Sequence, residues 1–369
     1  MFAKDIFHGL QRKGGAWRVR RILAALALCY GAAAGAEPVD WVTKADVSWY
    51  TDNPLAAEFI ITTAGQLAGL AKLVNGGNTF DGEVVKLGAD IALNDTSEWL
   101  NWKISAPRYS WTPIGYKGGQ WEAERPFAGT FDGGGFIIYG LFCGSGATGG
   151  LFGYVNPIGT IEGLGVQASY CAGSSYIGGL VIKNRGRIIN CRVTGYFSSG
   201  WSSVGGLVSE NGGQIIRCCF SGNISGGLVS AGGLVGENYR GGEIKDCYAA
   251  GSFLQSGGNR AGGLVGWNNG GSITNCYAVG RVSGMSYGDA GGLVGANDVV
   301  DGKGGDVNSS YYNRETGGLS DVGKGSPKTT AEMKLQDTYA GWDFNEIWVM
   351  DGQNSGYPYF RRREINEKH

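Results

Sequence analysis

The sequence predicts an all-β fold, a parallel β-solenoid with about one coil per 27–30-residue repeat. Three observations carry this reading. Glycine supplies 69 of the 369 residues, while proline is scarce at 8 and no G-X-Y period exists; ordinary chains hold roughly 7% glycine, and the missing period excludes collagen. The string Gly-Gly-Leu recurs with its leucine at Leu151, Leu180, Leu207, Leu234, Leu264 and Leu293, in steps of 29, 27, 27, 30 and 29. Between recurrences the apolar residues form three short pieces, separated by Gly, Asn and Ser, that read as strands rather than helices.

Composition narrows the function classes. The chain has 11 Trp, 18 Tyr and 14 Phe with 17% charged residues, the opposite of a disordered composition. Net charge is −1, which gives no basic footprint for nucleic acid. The two histidines, His8 and His369, stand at the extreme ends. A mechanism built on a core histidine is thereby excluded.

Taken in order, Lys4, Arg12, Lys13, Arg18, Arg20 and Arg21 precede an apolar run from Ile22 to Tyr30, followed by Ala34-Gly35-Ala36. A basic region, a short apolar region and an A-x-A end describe a secretory signal peptide over 1–36. A membrane anchor is the alternative, but the run falls short of the ~20 residues that span a bilayer. Removing this leader shifts the net charge to −6 and leaves seven cysteines. No later segment is apolar enough to cross a membrane, so the sequence implies a secreted or cell-surface protein, with periplasmic retention as a variant.

Residues 37–83 form an N-terminal segment. Thr63-Ala64-Gly65-Gln66 is a capping box; Leu67, Leu70, Ala71 and Val74 then give one apolar helix face that ends at Gly76-Gly77. This helix is expected to cover the first coil. The solenoid is placed at 84–320, with Val84–Leu93 as its first strand pair, 111–141 as irregular coils, and the clearest repeats over 149–312.

Several columns keep the leucine register. Four residues on stand Asn184, Asn211, Asn238, Asn268 and Asn297; then come Ile-x-x-Cys units ending at Cys191, Cys218, Cys247 and Cys276, with Leu164 before and Ser310 after. A repeat this short cannot bury its own apolar side, and stacking coils solves that problem. Identical residues then lie one above another at the ~4.8 Å strand spacing. Asparagine suits a hydrogen-bonded ladder.

Gly262-Gly263-Leu264-Val265-Gly266-Trp267-Asn268, followed by Ile273-Thr274-Asn275-Cys276-Tyr277, resembles the GLUG repeat of bacterial surface and secreted proteins. Ile61–Asn78, Phe127–Gly133, Gly341–Phe344 and Gly356–Tyr359 resemble the flanks of such domains. The resemblance covers about residues 58–360. It implies a right-handed parallel β-helix and a surface or extracellular role, and it implies no defined reaction. GLUG repeats also occur in large immunoglobulin-cleaving peptidases, whose HExxH zinc motif is absent from this sequence.

Residues 321–369 are read as a C-terminal cap. Thr329-Thr330-Ala331-Glu332 is a second capping box for a short helix over Thr330–Gln336, and Trp342, Phe344, Ile347, Trp348, Tyr357, Tyr359 and Phe360 form an aromatic tail.

Candidate chemistry follows from the columns. The cysteine column is a row of small buried fillers or, at stacked Cα spacing, a source of disulfides. Cys143, Cys171 and Cys219 lie outside it. The next position holds Tyr248, Tyr277 and Tyr311, which alternation turns outward. These three are the candidate ligand-binding residues, an aromatic strip for a polysaccharide or a host or cell-surface protein. Their alternative reading is a ladder that only stabilises the stack. Glu210 and Glu237 share one repeat position with Lys183, Trp267 and Ala296. Paired carboxyls of this kind are what a carbohydrate-active enzyme on the same scaffold requires. Asp298, Asp301 and Asp306 match no calcium-loop spacing. No catalytic residue, metal or cofactor is assigned, and the expected function is non-enzymatic adhesion or binding.

Overall fold

Apolar pieces only two to nine residues long bury themselves only if a neighbouring coil supplies the other wall. The computed structural model shows this arrangement. It describes residues 37–361 apart from 117–123, 145, 147, 255–259, 284–288, 301, 303–304 and 318–323. The leader read at 1–36 and Asp301 lie outside the described residues.

The central repeats make coils of four strands, one more than the sequence reading allowed. In one coil these are Ile177–Gly178, Val181–Asn184, Arg187–Ile189 and Arg192–Ser199. Stacked coils build four parallel sheets of five, six, nine and eleven strands. The last carries the longest strands, Gly165–Gly173, Arg192–Ser199, Cys219–Gly226 and Tyr248–Leu254; it is called the long-strand face below. Register is residue to residue, as in Ile161, Ile188, Ile215, Ile244 and Ile273.

The repeat leucines Leu151 to Leu293 and the isoleucine column are fully buried in one continuous core. The Gly-Gly pairs before the leucines separate the five- and six-strand sheets, which press backbone to backbone. A Cβ at Gly205 would overlap the Val208 carbonyl oxygen. Close approach, not a left-handed backbone, therefore demands glycine at this position. The asparagine column is a buried ladder in which each side-chain amide donates to the next at 2.8 Å: Asn184, Asn211, Asn238, Asn268 and Asn297.

At the N-terminal end the helix Ala64–Asn75 forms as predicted. Thr63 Oγ1 accepts from the Gln66 amide at 3.2 Å, and Gly77 follows with φ +110°. Its Leu67, Leu70, Ala71 and Val74 face packs into the core with Phe59 and Ile61. The stacked sheet begins earlier than residue 84, because Glu58–Ile61 pairs with Val84–Leu87 and the helix is the crossover between them. This outermost strand carries the exposed Glu58–Lys86 ion pair at 2.8 Å, a charged edge that discourages strand addition.

The C-terminal segment departs from expectation. Its capping box is reciprocal: Thr329 Oγ1 accepts from the Glu332 amide, and Glu332 Oε2 from the Thr329 amide. It starts two 3₁₀ turns, Glu332–Lys334 and Gln336–Tyr339, rather than a helix. Ser326–Lys328 pairs with Tyr311–Asn313 and extends the long-strand face by one strand. Beyond it the aromatic tail turns back along the side of the stack. Its strands Trp348–Val349 and Tyr359–Phe360 form an antiparallel pair.

Candidate binding surfaces

The cysteine column sits where each coil turns from the nine-strand sheet to the long-strand face. Cys191, Cys218, Cys247 and Cys276 are buried and unpaired. Burial pushes the Cys191, Cys218 and Cys247 thiols well above the ordinary range, so they are unreactive. Each thiol also has a hydrogen-bonding task that the sequence did not reveal. The Cys191 and Cys218 amides donate to the sulfur of the next coil at 3.3 Å. Ser310 does the same for Cys276, whose amide donates to Ser310 Oγ at 3.0 Å. The Cys-to-Ser exchange at the end of the column thus preserves an acceptor. A disulfide joins Cys143 and Cys171, outside the column and in register on adjacent coils.

The predicted tyrosine strip is in register, and the Tyr248 and Tyr277 rings stack with centroids 5.0 Å apart and planes 5° apart. It does not face solvent. The C-terminal tail lies over it, placing Met333, Tyr339, Trp342 and Trp348 in a second core with Tyr277. Tyr277 is 0% exposed and its hydroxyl donates to the Pro358 carbonyl at 2.6 Å. Tyr248 meets Phe360 at 5.3 Å and Tyr311 meets Tyr339 at 5.4 Å. The reading of Tyr248, Tyr277 and Tyr311 as one outward, solvent-facing strip is therefore corrected: Tyr277 is buried, and Tyr248 and Tyr311 are half-buried against the tail. The tail read as a cap for the coil end instead covers this flank, where Trp342 and Trp348 bury their rings against the stacked tyrosines.

The uncovered part of the long-strand face belongs to earlier coils. There Arg192–Ser199 alternates, with Val193, Gly195 and Phe197 buried and Arg192, Thr194, Tyr196 and Ser198 outward. Tyr170 pairs with Tyr196 in register. Their half-buried rings stack at 5.2 Å and 8°. Phe142 continues the stack at 5.9 Å and packs edge-on against Trp102 at 5.7 Å, and the exposed Asn223 continues the column on the other side. Sequence reasoning missed this pair. The strand shifts register between Val166 and Ser169, where Ala168 takes φ +49°; this places Tyr170 five residues after Gly165 but Tyr196 four after Arg192. The usable signal was the shared alternation over Tyr170-Cys171 and Tyr196-Phe197.

The acidic position proves to be a closed network. Lys183, Glu210, Glu237 and Trp267 align in register on the six-strand sheet. Glu237 is 3% exposed. Its carboxylate accepts from the hydroxyls of Ser203, Ser230 and Tyr239. The Tyr239 hydroxyl also lies 3.2 Å from Glu210 Oε1, so its single proton is shared between the two carboxylates. Burial, then the neighbouring Glu237 carboxylate, raises the Tyr239 phenol far above its ordinary value. The Lys183 ammonium lies 5.0 Å over the Tyr154 ring, and the Arg260 guanidinium 3.9 Å over Trp267. Among the described residues no cluster of three His, Cys, Asp or Glu side chains converges at metal-binding distance.

Comparison with known proteins fits this architecture. The family model described as the GLUG motif matches residues 227–253 and 257–283, so the chain carries GLUG repeats over these residues. A relative from Evansella cellulosilytica, provisionally named a Gly-rich membrane protein, is 31% identical over 120 residues, 32% of this chain. The match spans 10% of that relative's own length. Among solved structures, a Bacteroides ovatus protein provisionally named an immunoglobulin A1 protease superposes with TM-score 0.58 at 18% identity, covering 82% of this chain and 92% of its own. This likeness shows the shared fold. A chain named IgA1 protease aligns with TM-score 0.49 at 18% identity, over 73% of this chain and 21% of its own.

Proposed function

We propose that this GLUG-repeat solenoid is a non-enzymatic binding protein of the bacterial surface, and that it takes a polysaccharide or a cell-surface protein on its uncovered long-strand face. The observation that carries this is the Tyr170–Tyr196 stack, half-exposed on flat, long strands and flanked by Thr194, Ser198 and Asn223. Flat aromatic faces beside hydroxyls and amides suit sugars and extended peptides alike. The membrane-protein name of the Evansella relative supports a surface location, and no helix among the described residues is long and apolar enough to span a bilayer. A glycosidase would draw on Glu210 and Glu237, but Glu237 is buried beneath three hydroxyls and out of reach of a polymer. The protease name of the Bacteroides protein concerns that protein, and at 18% identity the likeness carries no activity across.

A glycan and surface-protein array, read together with a depolymerisation assay, tests this. Replacing Tyr170 and Tyr196 by Ala removes two rings worth about 1 kcal/mol each, so binding weakens tenfold or more. A double variant that binds as the parent does, or a parent that cleaves the glycan it binds, overturns the reading.

A further inference from the structure

A cleft of about 800 Å3 lies where the C-terminal strand pair meets the long-strand face, a volume usual for small-molecule sites. Arg192 and Arg217 rise from the solenoid side, with Tyr248 beside them; Glu346, Phe360 and Arg361 come from the tail. Among the described residues three guanidiniums thus share one concavity with a single carboxylate, in a chain whose net charge is −1. Among the described residues none of the three arginines lies within ion-pair distance of an acid.

Arg217 is the informative residue. It occupies the left-handed corner before the column cysteine, with φ +53°. Other coils fill that corner with Gly163, Asn190, Asp246, Asn275 and Ser309, side chains short enough to tolerate it or, for glycine, absent. A long side chain there is strained. Its Nε is also buried without a hydrogen-bond partner. Strain and an orphaned donor in the same cleft-lining side chain mark a position kept for a ligand.

We propose that this cleft binds a carboxylate-bearing saccharide, its carboxylate held by Arg192 and Arg217 and its ring packed against Tyr248 and Phe360. The planar guanidinium fork matches a carboxylate bidentately, the volume exceeds what a bare inorganic anion fills, and the aromatic wall offers a face for a sugar ring. The site uses none of the Tyr170–Tyr196 surface and stands or falls independently of it.

Titration of the full chain with a hexuronate tetrasaccharide, its methyl ester and an oligoglutamate tests this. The uronate binds, and the uncharged ester binds at least tenfold more weakly. Arg192→Gln and Arg217→Asn each cost roughly tenfold, and Glu346→Gln strengthens binding. Asparagine suits the corner, so Arg217→Asn melts at or above the parent temperature and loss of fold does not explain its loss of binding. Ester binding equal to uronate, unchanged affinity in both arginine variants, oligoglutamate binding as tightly as the uronate, or no uronate binding each overturns the proposal. None of these outcomes touches the array result for Tyr170 and Tyr196.

Discussion

The corner residues show how a single side chain answers to its coil. Asn190, Asp246 and Asn275 share one left-handed position, and the short polar side chain is what makes it tolerable. Asp246 is the weak member. It is 3% exposed, and burial raises its carboxyl above the usual range, against a smaller opposing pull from the Asn275 amide at 3.1 Å. A raised folded value means that its contribution to stability is fully present below the ordinary carboxyl pKa, near 4, and is lost as pH rises through the folded value. Asp246→Asn keeps the corner geometry and the acceptor for Asn275. It therefore raises the melting temperature at pH 7 and leaves it nearly unchanged near pH 3. Equal gains at both pH values contradict this account.

The cysteine column belongs to the scale of the element. Its buried, unpaired state was legible from the Leu164 and Ser310 positions at its two ends, which a disulfide row would not accept. Its hydrogen bonds were not, because cysteine reads in sequence as a small hydrophobe. Cys218 accepts from the Cys191 amide and donates to the Ile216 carbonyl at 3.3 Å. Cys218→Ser preserves both partners, as Ser310 does. Cys218→Ala leaves a buried amide unpaired, at a cost of about 1–3 kcal/mol. Chemical denaturation should rank the alanine variant below the serine variant, and the opposite order would show that the column is mere filler. The asparagine ladder and the N-terminal helix were legible for a plain reason: each rests on a local pattern, an invariant spacing or a capping box, that needs no knowledge of what lies across the coil.

At the scale of the molecule the sequence reading lost its way at the tail. Period and alternation specify which way Tyr248, Tyr277 and Tyr311 point, but not what arrives from farther along the chain to cover them. An aromatic tail and an aromatic ladder attract each other wherever the chain allows, and here they build a second core along the flank. The uncovered Tyr170–Tyr196 pair escaped notice because one bulge breaks the spacing by a single residue. The long-strand face is thus divided, covered over its later coils and open over its earlier ones. Hydroxyl-radical footprinting of the native protein, resolved by peptide mass spectrometry, measures that division directly. Tyr170 and Tyr196 should be oxidised in the folded state, while Tyr277 and Trp348, both 0% exposed, stay protected until unfolding. Oxidation of Tyr277 at the rate of Tyr196 would contradict the account, because it would place the tail away from the ladder and return the tyrosine strip to solvent.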